Sequence, residues 1–141
     1  MREVYSYLCA NYSCGDEIFL IGFSRGAFTA RSVAGMVASL GLLTREGVDH
    51  FYPIFSDMQN WMKHDHQDQF PNDPFPDKPK GLNAAEEYRS RLEKMGYTRT
   101  KQKNGEKIKI KAVCVWDTVG SLGVPRVAWL DKIGLRATNN E

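Results

Sequence analysis

The sequence predicts an α/β fold in which a parallel sheet forms the core and a helical insertion separates its two strands. Three observations carry that prediction. Ile18, Phe19, Leu20 and Ile21 form a short apolar run without alternation, ending at Gly22, as in a parallel strand buried on both faces. From Arg25 the period turns helical, with Ala27, Phe28, Val33, Ala34, Val37 and Leu40 apolar and Gly41 just past the end. Residues 108–115 give the second strand, which starts with alternating Lys and Ile and becomes continuously apolar over Ala112, Val113, Cys114 and Val115.

The remaining elements follow from the same periodicities. Val4, Tyr5, Leu8, Cys9 and Tyr12 share one face of a helix over residues 2–11, and Ser13, Cys14, Gly15 and Asp16 break it before the first strand. A second helix is predicted over residues 53–63, with Pro53 at its first position and Phe55, Met58 and Met62 on one side. The apolar stripe of Phe51, Phe55, Met58, Trp61 and Met62 suits either packing against the core or a cap lining an apolar acyl pocket. Residues 64–81 carry Pro71, Pro74, Pro76 and Pro79 among aspartates and read as an irregular surface loop within the insertion. Residues 82–95 read as a charged helix with Asn83 as N-cap, Glu87 and Arg91 one turn apart, and Gly96 as the stop. Asn104-Gly105 predicts a tight hairpin turn in the basic stretch 97–106. Lys107, Lys109 and Lys111 mark the solvated start of the second strand.

Composition bounds the function classes. With 141 residues, 42% of them hydrophobic and 26% charged, the chain fits one globular domain. Nineteen basic against 17 acidic residues leave a formal charge of +2, which gives no overall field pointing to nucleic acid. Cys9, Cys14 and Cys114 form neither an even framework nor a metal-ligand spacing, so reduced thiols in a cytoplasmic setting are expected. No signal-peptide pattern opens the chain and no 18-residue apolar stretch occurs in it; any membrane encounter is expected to be a transient surface contact.

Gly22-Phe23-Ser24-Arg25-Gly26 spells the G-x-S-x-G nucleophile elbow, where a serine sits on a strained strand-to-helix turn and small residues on either side relieve steric conflict. Three fixed positions match by chance in roughly 5% of chains this long, so the context decides: this serine follows a predicted strand and opens a predicted helix. Ser24 is then the candidate nucleophile, and the Arg25 backbone N–H points at a developing oxyanion. Asp117 closes the second strand, on the sheet edge where reacting groups collect in parallel sheets. There it orients a histidine as triad acid, or merely caps the Thr118-Val119-Gly120 turn. The histidines, His50, His64 and His66, all precede Asp117. His64-Asp65-His66 reads as a solvated pair, short of the ligands a metal needs; His50, ahead of the apolar helix, is the remaining candidate for a general base at the pocket mouth.

Residues 22–31, reading GFSRGAFTAR, and 115–123, reading VWDTVGSLG, resemble two signature blocks of the α/β hydrolases that include the type VI secretion phospholipase effectors. The resemblance runs in order along nearly the whole chain. It implies a partial α/β-hydrolase fold, a serine esterase acting on lipid or carboxylic ester bonds, Ser24 as nucleophile, Asp117 as triad acid, and no metal or cofactor. Such proteins begin with a strand bearing an Asp-Gly-Thr signature and take the triad histidine from well downstream of the acid; neither is present here. The chain is therefore expected to correspond to the middle of such a domain, incomplete over residues 1–141. Residues 1–44 would supply the leading helix, nucleophile strand and helix, residues 45–106 a cap-like insertion, and residues 107–141 the acid strand and tail. The expected partner is a small-molecule or lipid ester. The expected isolated chain is inactive, and the competing class is a non-catalytic remnant that binds a partner.

Overall fold

The computed structural model describes residues 1–63 and 65–116. Five helices run over Arg2–Asn11 (α1), Arg25–Leu40 (α2), Arg45–Asp49 (α3), Phe51–Asn60 (α4) and Ala84–Lys94 (α5). Four strands run over Ile18–Phe23 (β1), Leu42–Leu43 (β2), Thr98–Arg99 (β3) and Ile110–Trp116 (β4). β1 and β4 pair in parallel, and β2 pairs antiparallel with β3. The fold is thus mixed α/β with a small parallel sheet and helices.

The order of β1, α2 and β4 matches the sequence reading, while the short elements β2, β3 and α3 escaped it. Two-residue strands leave no periodicity to detect. α4 begins at Phe51 rather than at Pro53. Proline is tolerated at its third position because the first turn of a helix has no intrahelical acceptors for its N–H groups. Asn83 stands at the N-cap of α5 but its side chain makes no capping bond. The Glu87–Arg91 pair forms, at 2.6 Å, and the hairpin closes with Gln102 N–H donating to the Glu106 carbonyl at 2.7 Å around Gly105 at φ 86°.

The core lies on one side of the β1–β4 sheet. α2 covers that side with Ala27, Ala30, Val33 and Val37, all buried, and Tyr5, Met36, Leu40, Leu42, Phe51, Ile54, Tyr88 and Leu92 continue the core outward. The C-terminus of α2 ends inside this core, so its last carbonyls need partners. Tyr5 donates to the Gly41 carbonyl at 2.7 Å and Thr98 to that of Leu40 at 2.5 Å. Arg99 does the same for α1, donating to the carbonyls of Cys9 at 2.8 Å and Tyr12 at 3.1 Å. A cation is favoured at that negative end of the helix dipole.

Burial of the strands on both faces was expected and does not hold. Ile18 and Gly22 turn to the core, but Phe19, Ile21 and Phe23 are 55%, 70% and 58% exposed. Among the described residues, none of the five helices covers that outer face. The register explains how β4 serves the same arrangement: it shifts by one residue between Ile18 and Phe19, so Ile18 pairs with Ile110 but Phe19 pairs with Ala112. The extra residue, Lys111, bulges the strand and pairs with Glu17 at 2.8 Å. Before the bulge Ile108 and Ile110 face inward; beyond it Val113 and Val115 share the side of Leu20 and Gly22.

The insertion is stitched by buried polar groups. Lys78 reaches Asp57 at 3.0 Å, Asp68 at 2.9 Å and the Phe70 carbonyl at 2.6 Å, while Tyr88 donates to Asp57 at 2.5 Å. Burial pushes the Asp57 carboxyl above its ordinary range against the pull of Tyr88 and Lys78, and burial with the Asp57 contact pushes the Tyr88 phenol up. Burial raises Asp68 too, but the Lys78 and Phe70 hydrogen bonds outweigh it and hold that carboxyl low.

Candidate active site

Ser24 stands between β1 and α2 at φ 51° and ψ −119°, a backbone state that L-residues adopt only when their surroundings enforce it. Three contacts enforce it here. The Ser24 N–H donates to the Trp116 carbonyl at 3.2 Å, which ties the turn to the end of β4. The Ala27 N–H returns to the Ser24 carbonyl at 2.9 Å and starts the helix. Gly22 lies against the incoming helix so closely that a Cβ there would sit 2.6 Å from the Gly26 carbonyl carbon and 2.7 Å from the Ala27 Cα. Gly26 differs: a Cβ on it would meet nothing within 4 Å. The close approach that demands a missing side chain is therefore at the first glycine, and the expected steric role of the second is corrected.

Arg25 is the first helical residue, so its N–H belongs to the group a helix leaves without intrahelical partners, at the positive end of the dipole. That is the electrostatic setting an oxyanion requires. Trp116 pairs in register with Phe23, and its carbonyl accepts from Ser24 as above. The strand leading to Asp117 thus ends beside Ser24, the candidate nucleophile; Asp117 itself lies outside the described residues.

His50 does not join Ser24. His50 Nδ1 lies 2.5 Å from Asp73 Oδ1, and its ring stacks on Tyr97 with centroids 4.8 Å apart. Tyr97 accepts from the Thr44 N–H at 2.9 Å, just beyond β2, and so belongs to the C-terminal end of α2. Sixteen residues of helix span about 24 Å, which leaves His50 far from the elbow. His64 lies outside the described residues. His66 sits in the segment after α4 with its Nε2 buried and unpartnered among the described residues.

The apolar stripe of residues 51–62 is spent mostly on packing, with Met62 left 46% exposed. Phe51, Met58 and Trp61 are buried in the core, with Phe51 stacked on Phe55 at 5.8 Å. The apolar surface beside Ser24 comes instead from Phe23 and Trp116, 58% and 53% exposed, with ring centroids 6.4 Å apart. Both immediately precede a motif residue, Ser24 or Asp117, a signal the sequence reading passed over. Two clefts of about 460 and 280 Å³ flank the hairpin base, and no elbow residue lines either.

Residues 1–141 match the family described as T6SS, Phospholipase effector Tle1-like, catalytic domain. The chain belongs to that family. This Tle1-like catalytic domain is also 46% identical over 43 residues to the uncharacterized protein YEL023C of Saccharomyces cerevisiae. That match covers 30% of the chain and 6% of the yeast protein. No solved structure matches the chain. Among the described residues of this Tle1-like domain, no helix is long and apolar enough to cross a membrane.

Proposed function

We propose that this chain carries the nucleophile and the acid of a serine esterase of α/β-hydrolase type that cleaves lipid or carboxylic ester bonds. Ser24 attacks the ester carbonyl, a histidine held by Asp117 takes its proton, and the Arg25 N–H stabilises the oxyanion. The alcohol leaves with the returned proton, and water then releases the acyl group from Ser24. Phe23 and Trp116 form the apolar wall along which an acyl chain lies. The observation that carries the reading is the positive φ of Ser24 at a strand-to-helix turn, a strained conformation with no packing purpose of its own. Membership of a phospholipase effector family supports the ester substrate.

The remoteness of His50 supports a further part of the reading, that the 141-residue chain alone turns over slowly. Two assays on the purified chain test it. A serine-directed fluorophosphonate should label Ser24, and Ser24→Ala should abolish labelling together with whatever short-chain ester hydrolysis the chain shows. A rate unchanged by Ser24→Ala would overturn the assignment of the nucleophile. A fast rate abolished by it would keep the nucleophile and overturn the expected inactivity. Complete absence of labelling would favour the non-catalytic binding module.

A further inference from the structure

We infer that the smaller cleft at the hairpin base is a binding site for a small soluble phosphate monoester, separate from the candidate active site and independent of the ester-hydrolase reading. The cleft, of about 280 Å³, opens between the last turn of α2, the α5 helix and the two arms of the hairpin. Ser24 caps the first turn of α2, whereas Val37, Ala38 and Gly41, which line the cleft, lie at its other end. The helix between Ser24 and Val37 spans about 20 Å, so a ligand here does not reach the elbow.

The charged groups of the cleft are short of partners. Arg89 of α5 and Lys101 and Lys107 of the hairpin line it against a single acid, Glu93. Arg89 and Glu93 stand one helical turn apart, the spacing at which opposite charges pair on a helix, yet they form no ion pair among the described residues. The Glu93 carboxylate accepts from the Thr100 hydroxyl instead. Lys101 and Lys107 are antiparallel bridge partners, so their side chains share one face of the hairpin. Like charges directly opposite in a ladder repel, and neither lysine joins an ion pair among the described residues.

An anion seated among these three cations answers both the repulsion and the missing pairings. Glu93 leaves the lining two positive charges in excess, and a phosphate monoester, close to a dianion at neutral pH, balances them. The planar fork of Arg89 suits two phosphoryl oxygens at once, and the lysine ammonium groups act as compact charges on the rest. The floor is apolar and fixed. Val37 and Ile108 are buried, and a Cβ on Gly41 would sit 2.5 Å from the Arg99 carbonyl oxygen and 2.9 Å from the Thr100 methyl, so the hairpin is pressed onto the end of α2. The volume exceeds that of a bare phosphate and leaves room for a small organic body over Ala38 and Ile108. The larger cleft sets Asp16, Glu17 and Glu106 against Lys107, Lys109 and Lys111 and has no such excess.

Titration calorimetry and urea unfolding of the 141-residue chain, at constant ionic strength, test this. Phenyl phosphate should bind and raise the unfolding midpoint, inorganic phosphate should do so more weakly, and phenol at the same concentrations should do neither. Arg89→Gln should weaken phenyl phosphate binding about tenfold, and Lys101→Gln or Lys107→Gln should weaken it as well. Glu93→Gln should tighten it, a sign opposite to that of a structural defect. Without ligand the two lysine variants should unfold no earlier than the unaltered chain, because they relieve repulsion, which keeps a lost site distinct from a lost fold. Ser24→Ala should bind phenyl phosphate unchanged, so failure of the esterase reading and failure of this site give separate results. No binding of phenyl phosphate, or equal binding by the double variant Arg89→Gln with Lys107→Gln, would overturn the inference. So would inorganic phosphate bound as tightly as phenyl phosphate, or displacement of phenyl phosphate by a duplex oligonucleotide bound more tightly.

Discussion

The turn at Ser24 is held by backbone atoms, whereas the insertion from α4 to α5 is held by side chains that reach across the sequence. At the turn, the Trp116 carbonyl, the Ser24 N–H and the missing Cβ of Gly22 fix the geometry. In the insertion, Lys78 and Tyr88 converge on Asp57 from 21 and 31 residues away. Backbone constraints survive most side-chain changes but fail at a single glycine. A buried polar network fails when any member leaves its partner without compensation. The region proposed to carry the chemistry is therefore sparing in side-chain support, while the insertion is densely tied.

Removing Lys78 should produce the largest effect. Lys78→Ala leaves Asp57, with only 5% of its side chain exposed, charged and short of a cation. Loss of one partner from a buried pair costs about 3–5 kcal/mol. Urea unfolding measures it, and the double variant Lys78→Met with Asp57→Asn should recover much of the loss. A cost below about 1 kcal/mol would mean that the network does not clamp the insertion. Next comes Gly22→Ala, which drives a methyl into the Gly26 carbonyl and the Ala27 backbone. Overpacking of this kind costs about 3 kcal/mol, and fluorophosphonate labelling of Ser24 should fall with it. Gly26→Ala has open space and should keep both stability and labelling.

This contrast also decides what a sequence reveals. The strand, turn and helix around Ser24 were legible because they are contiguous and each leaves a local trace in residues 18–40. The apolar runs announced β1 and β4, yet the one-sided exposure of Phe19 and Ile21 was invisible, since an unalternated run says that a strand is apolar and not what covers it. The bulge at Lys111 was readable in principle: Ile108 and Ile110 occupy even positions, Val113 and Val115 odd ones, and a strand changes phase only by gaining a residue. The Asp57–Lys78–Tyr88 cluster left no trace because its spacing follows no helix or strand period. Phe51, Met58 and Trp61 were ambiguous between core and cap because a helical stripe shows which face is apolar and not what covers it.

A smaller effect separates the packed region from the open face through the cysteines. Burial pushes the Cys9 thiol up to about 11 from 9.0, outweighing the favourable influence of the Leu43 backbone, Tyr5 and Arg99. Between those values the unfolded chain has lost a proton that the folded chain keeps, so stability falls as pH rises through that window. The decline attributable to Cys9 should approach about 2–3 kcal/mol at its upper end, and Cys9→Ala should remove that part of the slope, leaving the part due to Tyr5, whose phenol is also raised by burial. Urea midpoints below pH 9 and near 11 give the comparison. A thiol reagent should modify the exposed Cys14 and Cys114 at once and reach Cys9 only on unfolding.

The smallest effect should come from the face that looks most costly to leave bare. Ile21 is 70% exposed and Ile54 is wholly buried, so the same change separates the two environments. Ile54→Thr removes buried methyl area and places a hydroxyl in the core, a loss of at least about 2 kcal/mol. Ile21→Thr keeps the β-branched shape that suits a strand and alters a surface already in water, so its effect should stay within about 0.5 kcal/mol. Urea unfolding of the dilute chain measures both changes. If Ile21→Thr instead destabilises as strongly as Ile54→Thr, then Ile21 is covered in solution by protein, and the outer sheet face would have to be read as an interior surface. A neutral result would show that Ile21, unlike Ile54, adds nothing to the stability of the described fold.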